Sequence, residues 1–163
     1  MITSASIHKA IWTAWYENID ASFIQYWNDE QKQSFESLND GETAPGTPFP
    51  YCVLESLEPY PMARMTGSFN ETGKRQLQKV PLRFNVYCNS LSDGRSAKLA
   101  CSALAETIML IYGGGNAVPI ALVDDGNGSI VNVQYQNDFG LRLGDNEHQW
   151  MISYVIDHDF PYR

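Results

Sequence analysis

The period of the hydrophobic residues changes near the middle of the chain, between residues 82 and 112. From Leu82 to Cys88 apolar and polar residues alternate, which is the period of a strand that buries one face. Beyond the strand, apolar residues recur at three- and four-residue spacing, as in an amphipathic helix: Ala97, Ala100, Cys101, Leu104, Ile108 and Ile111. The pattern predicts a strand, a turn after Asn89 and a helix over about residues 92–112 that packs on the sheet.

Further elements are predicted on both sides of this block. A helical stripe that contains Ile11 and Trp15 predicts a first helix over residues 4–17. Asp20 can cap a second helical stretch, but the polar composition of residues 28–37 leaves its continuation open. Strands are predicted over residues 50–57, 62–69, 76–89, 118–123, 130–135 and 150–156, with a turn at 140–148.

Three prolines qualify the strand predictions. Pro59 and Pro61 must end a strand or mark a sheet edge, because proline has no N–H to donate to a ladder. Pro81 falls inside the predicted strand over residues 76–89, and it predicts a bulge or an edge position there.

The order of the elements predicts an α+β fold. We expect a mostly antiparallel sheet with the N-terminal helix and the central helix packed on one face. The length of 163 residues fits one domain. Within it we distinguish a helical part over residues 1–38, a linker over residues 39–49 and the sheet with its helix over residues 50–163.

Net charge indicates which partners the protein disfavours, and cysteine placement indicates its redox compartment. Nineteen acidic residues against eleven Lys and Arg give a formal charge of -8, which disfavours binding to nucleic acid or to an anionic membrane. Without a membrane-span pattern or a signal-peptide pattern, we expect a soluble protein made in the cytoplasm. Cys52, Cys88 and Cys101 lie inside apolar patterns without zinc-site spacing, so we expect buried thiols in a reducing compartment.

Candidate catalytic and ligand-binding chemistry is sparse. Gly113, Gly114 and Gly115 follow the predicted helix, where a left-handed helix cap explains them; a phosphate loop would precede a helix and carry Lys-Ser/Thr. His8 lies on the polar side of the first helix and is expected at the surface. We expect no enzymatic activity, no cofactor and no metal site.

One acidic group leaves two interpretations open. It can form a divalent cation site, or its members can be solvated residues at strand ends. The residues are Asp124, Asp125, Asp157, His158 and Asp159.

Two segments are candidate protein interfaces. Trp15 fits the buried stripe of the first helix, whereas Trp12 and Tyr16 fall beside it; packing of the helix on the sheet is the alternative explanation for this aromatic density. Residues 59–73 predict an extended hairpin or arm that projects from the sheet, with a surface loop as the alternative. The candidate interface residues are Trp12, Tyr16, Met62, Arg64, Met65 and Phe69.

After a short N-terminal helix, four segments beyond residue 45 carry a family resemblance. They are the entry strand from Thr47 to Glu55, the strand over residues 80–90, the helix over residues 97–111 and the closing strand from Trp150 to Ile156. In this order they resemble the tail terminator and tail-completion (minor tail) proteins of long-tailed bacteriophages. The polar stretch over residues 25–38 is not part of that pattern.

The resemblance implies a structural protein of virion assembly from a phage or prophage. Such a subunit would form a homo-oligomeric ring, a hexamer, that caps the finished tail tube, contacts the tail tube protein and joins it to the head-tail connector protein. DNA would only pass through the lumen, no membrane would be involved, and the protein would move from the host bacterial cytoplasm into the virion tail. Two alternatives stay open: a head-tail connector or stopper protein, and a bacterial small-ligand or metal-binding α+β domain.

Overall fold

The computed structural model describes residues 2–22, 27–41, 47–56, 60–64, 74–89, 97–119, 129–144 and 146–162. Within these ranges the chain forms an α+β fold, as the sequence predicted, with three helices and six strands. In chain order they are α1 (Ile2–Asn18), α2 (Asp29–Glu36), β1 (Asn39–Asp40), β2 (Tyr51–Ser56), β3 (Tyr60–Arg64), β4 (Lys74–Asn89), α3 (Ala97–Tyr112), β5 (Ser129–Arg142) and β6 (Glu147–Tyr162).

The six strands form one mostly antiparallel sheet around a long central ribbon. The strand order is β1-β2-β4-β6-β5, and β3 pairs with the part of β4 that β2 does not reach. Only the β1–β2 pair among these is parallel. β4 and β6 pair along their whole length, from Lys74 opposite Tyr162 to Asn89 opposite Glu147. This β4–β6 ribbon connects all the other described strands.

The core lies between one face of the sheet and the helices. Phe84 in β4 is fully buried and stacks on Trp15 of α1 and on Tyr112 of α3, with ring centroids 5.8 and 4.8 Å away. Leu104 and Ile108 of α3 are also fully buried, so the predicted helical stripe is confirmed as core. An aromatic cluster therefore joins both helices to the centre of the sheet.

The three thiols are buried, as the sequence predicted. The Cys101 S–H lies within hydrogen-bond distance of two strand carbonyls, 3.3 Å from the His148 oxygen and 3.6 Å from the Val86 oxygen. Burial raises the pKa of Cys52 and Cys88 well above the ordinary thiol value. The small Cys101 side chain lets α3 approach the sheet closely at this point.

The polar stretch that the sequence left open does contain a helix, α2. Asn28 caps it through a reciprocal capping box: its side chain accepts a hydrogen bond from the Gln31 N–H, and the Gln31 side chain accepts one from the Asn28 N–H. Asp20 instead accepts a hydrogen bond from the Ser22 N–H, two residues later, and residues 23–26 lie outside the described part. Phe35 anchors α2 in the core.

Several predicted strand bounds were wrong. β5 continues to Arg142 and β6 starts at Glu147, so the predicted turn at 140–148 shrinks to the residues between them. Val118 and Pro119 are not in a strand, and residues 120–123 of that prediction lie outside the described part. The predicted linker contains β1, whose Asn39 pairs with Val53.

Pro81 occupies an edge position inside a continuous strand. The register between β4 and β6 runs unbroken through Pro81 and Val155, so the predicted bulge is wrong. On its other side β4 pairs with β2 over residues 82–87 and with β3 over residues 76–79. No described residue pairs with Pro81 on that side. The residue without an N–H lies where one edge partner of β4 ends and the next begins.

Candidate interaction surfaces

A ladder of rings runs along α1 at four-residue spacing. The ring centroids of His8 and Trp12 are 6.0 Å apart, and those of Trp12 and Tyr16 are 5.4 Å apart. Tyr16 is 50% exposed, as predicted, whereas Trp12 is partly buried against the core. The Tyr16 hydroxyl accepts a hydrogen bond from the Leu38 N–H at 3.2 Å, and His8 Nε2 lies 3.3 Å from Asp40 Oδ2. These contacts tie the ladder to the chain that follows α2, and they leave His8 only partly exposed.

Acidic side chains lie within α1, just after its end and beside His8. Glu17 and Asp20 are exposed near the end of α1, and the Asp40 side chain is 59% exposed. Hydrogen bonds from Ser22, and to a smaller extent the nearby charge of Lys32, lower the pKa of the Asp20 carboxyl, so it stays ionised to a lower pH than an ordinary aspartate. We call the group formed by Trp12, Tyr16, Glu17, Asp20 and Asp40 the α1 surface. It combines aromatic area with negative charge.

Where the structure describes the predicted arm, residues 60–64 form a strand that pairs within the sheet, and projection of the segment stays a prediction. β3 pairs antiparallel with the first part of β4, so the two strands form the two sides of a hairpin. Met62 lies at the register shift between Pro61 and Ala63, and Arg64 lies opposite Gln76; for both candidates the structure describes the backbone. Met65 and Phe69 lie outside the described residues, so their interface role stays a prediction.

The sheet face away from α3 carries a partly buried cluster of polar and aromatic side chains. Tyr51 and Tyr87, opposite each other on β2 and β4, stack with centroids 5.0 Å apart. Gln149 Nε2 donates to the Asn85 Oδ1 atom at 3.1 Å and to the Tyr87 hydroxyl at 3.2 Å. These side chains came from three strands, so their proximity could not be predicted from the sequence alone.

The end of β5 exposes apolar side chains that sequence analysis missed. Phe139, Leu141 and Leu143 are 45%, 47% and 46% exposed, and β5 is the last strand in the described sheet order. Apolar residues along a sheet edge are typical of a surface that another chain covers. The alternation of Phe139, Leu141 and Leu143 was the available signal, but the predicted turn at 140–148 concealed it.

The acidic group does not assemble into a metal centre in the described part of the chain. Asp157 is only 8% exposed; its Oδ2 atom accepts from Gln134 Nε2 at 2.6 Å, and its Oδ1 atom lies 3.7 Å from Lys79 Nζ. The solvated interpretation is therefore wrong for Asp157, because its carboxylate links β4, β5 and β6. The described residues contain no group of three metal-ligating side chains. His158 and Asp159 are described by backbone, and Asp124 and Asp125 lie outside the described residues.

A second polar cluster holds β5 to β6 beside the core. The Asp138 carboxylate accepts hydrogen bonds from the Tyr135 hydroxyl and from Trp150 Nε1, the latter at 2.8 Å. The bond to Asp138 raises the pKa of Tyr135 to about 12. Next to Trp150, burial and the charge of Lys98 lower the pKa of His148. The arrangement supports the pairing of β5 with β6.

The three glycines form the predicted helix cap. The Gly113 N–H donates to the Met109 oxygen at 2.8 Å, and Gly113, Gly114 and Gly115 all have positive φ angles. Residues with a side chain rarely adopt this backbone conformation. The Gly113 carbonyl accepts from the Tyr154 hydroxyl at 2.6 Å, so the cap also contacts the sheet.

Comparison with known proteins finds the fold in a virion particle. No family model matches the chain, and no curated protein matches it. Chains of solved structures do match, among them one described as the virion of a native gene transfer agent (GTA) particle. It is 13% identical, has a TM-score of 0.52, and the alignment covers 96% of this chain and 96% of that chain. In the described part of this chain, none of the helices has the length and hydrophobicity needed to cross a bilayer. The likeness shows that the two chains share a fold over nearly their whole lengths.

Proposed function

We propose that this chain is a structural, non-enzymatic protein of a phage-like virion, and specifically a tail terminator. The observation that carries the proposal is the fold shared with a chain of the gene transfer agent virion over 96% of both chains. The order of four segments, which resembles tail terminator and tail-completion proteins, supports the same role. In that role the protein caps the tail tube as a ring, which stops tube growth and presents a surface to the head.

The exposed surfaces suit a ring subunit. A closed ring uses heterologous contacts, in which one patch of a subunit meets a different patch of its neighbour. The α1 surface and the β3–β4 hairpin are two such patches, on different parts of the molecule. The exposed apolar end of β5 adds a third surface, which is available for the tail tube protein or the connector protein.

The charge of the chain agrees with passage of DNA through the ring. A net charge of -8 opposes retention of phosphates, so the DNA would pass without binding. The partners are then other copies of this chain, in a hexamer, the tail tube protein and the head-tail connector protein. Assembly takes place in the host bacterial cytoplasm, and the ring remains in the virion tail.

Electron microscopy of particles from a host with and without this gene tests the proposal. For a terminator we expect overlong tail tubes, or headless tails without a cap, and restoration of normal particles by a wild-type copy of the gene. Tails of normal length beside DNA-containing heads that lack tails would assign the chain to the connector or stopper class instead. Normal particles in the deletion strain would reject both structural roles.

A further inference from the structure

Charge is distributed very unevenly between two parts of the fold. Residues 60–83, which contain β3 and the first part of β4, carry five Lys and Arg against one acidic residue, a net charge of +4. Residues 1–58, which contain both N-terminal helices, carry two Lys against nine acidic residues, a net charge of -7. A protein with a net charge of -8 therefore has one strongly basic hairpin.

The basic residues nearest the core already have partners within the chain. Lys79 Nζ lies 3.7 Å from Asp157, and the Arg83 side chain lies 4.0 Å from Glu55. Three more cationic residues, Arg64, Lys74 and Arg75, lie further along the hairpin, away from β2. The end of β6 pairs with this part of β4 and places Asp159 opposite Leu77, so three cationic residues there stand against one acidic residue of the paired strand.

The α1 surface has the complementary chemistry. Glu17, Asp20 and Asp40 supply negative charge, and the half-exposed ring of Tyr16 supplies an aromatic face. Arginine pairs with carboxylates and also stacks on aromatic rings, so a surface of this composition suits an Arg-containing strand. Trp12 adds apolar area beside the charges.

The hairpin of one chain cannot reach the α1 surface of the same chain. Asp40 lies opposite Leu54, which in turn lies opposite Phe84. Arg75 is nine residues from Phe84 along β4, about 30 Å at the rise of a strand. The two complementary surfaces must therefore meet between molecules, and a contact between unlike patches repeats from copy to copy until a ring closes.

We propose that the β3–β4 hairpin of one copy docks on the α1 surface of the next copy, through Arg64 and Arg75 against Glu17 and Asp20. This inference rests on the proposed function and names the contact that builds the ring. A second copy is favoured over duplex DNA as the partner, because DNA would be repelled by the negative charge of the rest of the chain.

Charge reversal in each surface tests the contact. The hairpin variant is Arg64→Glu with Arg75→Glu, and the α1 variant is Glu17→Lys with Asp20→Lys. Sedimentation equilibrium over a concentration series should show self-association of the wild type, weakened about tenfold or more in either variant. An equal mixture of the two variants should associate again, because each reversed surface then meets an opposite charge. High salt should weaken association of the wild type.

Two control variants test whether a loss of association comes from the proposed contact or from a general change in charge or folding. Arg64→Lys with Arg75→Lys keeps the hairpin charge, and Glu106→Lys with Glu147→Lys makes the same charge change as the α1 variant at exposed positions elsewhere. Both should associate more strongly than the reversed variants. Circular dichroism and thermal melting should show that all the variants fold.

Several outcomes would overturn the inference. They are a wild type that stays monomeric up to its solubility limit, reversed variants that associate like the wild type, or no recovery in the mixture. Loss of duplex DNA binding with unchanged self-association in the hairpin variant would make DNA the partner. The proposed function is tested separately: if the reversed variants restore normal tails in the deletion strain, the docking contact fails and the terminator role stands.

Discussion

The hydroxyl of Tyr112, the last residue of α3, donates a hydrogen bond of 2.7 Å to the carbonyl oxygen of Ile11 in α1. Tyr112 is 1% exposed, and burial raises the pKa of its phenol far above the ordinary value. Its ring stacks on Phe84 of β4. One side chain thus joins the N-terminal helix, the central helix and the sheet.

Replacing Tyr112 with Phe should cost about 1 kcal/mol of unfolding free energy, because the ring stays while a buried hydrogen bond to Ile11 is lost. Urea denaturation followed by circular dichroism measures the change. Tyr16→Phe is the control, since the Tyr16 hydroxyl lies on a half-exposed side chain and water can replace it. Equal costs for both variants would show that the Tyr112 bond adds nothing specific.

Replacing Leu104 with Asp should lower the free energy of unfolding by several kcal/mol and leave the protein largely insoluble. Leu104 is fully buried in a cluster of apolar side chains, and a new charge is costly there. Leu110→Asp makes the same change on the same helix at a position that is 63% exposed, and should stay within about 0.5 kcal/mol of the wild type. The measurements are the soluble fraction after expression and the urea midpoint. A soluble Leu104→Asp protein with cooperative unfolding would contradict the assignment of this stripe to the core.

Replacing Gly140 with Ala should destabilise the protein by about 1–3 kcal/mol. A Cβ atom there would lie 2.7 Å from His148 Nε2 and 2.8 Å from two ring carbons of Trp150, which forces the neighbouring strand side chains to move. Gly144→Ala is the control, because a Cβ atom at Gly144 has nothing within 4 Å. Thermal melting compares the two; a Gly140→Ala protein as stable as Gly144→Ala would mean that His148 and Trp150 do not pack over β5.

His148 should make the protein less stable in mild acid. Burial and Lys98 lower its pKa in the folded state, so the unfolded chain binds the proton more readily. Stability is therefore lost as the pH falls through the ordinary histidine pKa of about 6.5. Between about pH 7.5 and about pH 5 the wild type should lose more unfolding free energy than His148→Gln, whereas the difference between them should stay constant above about pH 7.5. Parallel stability curves for the two proteins over the acidic range would refute this expectation.

The core was predictable because burial imposes a period on the sequence. Phe84 alternates with polar neighbours, and Leu104 and Ile108 recur at helical spacing, so each position follows from local order alone. The helical spacing of apolar residues in α1 likewise distinguished Trp15, which is in the core, from Tyr16, which is at the surface.

Features that depend on strand register were not predictable. Gly140 looked like part of a turn, and only the pairing of β5 with β6 shows that it gives room to Trp150. Asp157 looked like a solvated strand end until the register placed Lys79 opposite it and Gln134 close by. For α2 a local signal existed, Asn28 followed three residues later by Gln31, but the polar composition concealed it.

The uninterrupted β4–β6 ribbon joins the hairpin to the core as one continuous element. Sixteen consecutive residues of β4 pair with β6 without a register shift, a length of about 50 Å at the rise of a strand. One end of the ribbon carries the hairpin, and Phe84 with the aromatic cluster around it lies in the other half. The unbroken register therefore fixes the distance between the hairpin and the aromatic cluster, because a slip of one residue would turn every side chain of β4 to the opposite face.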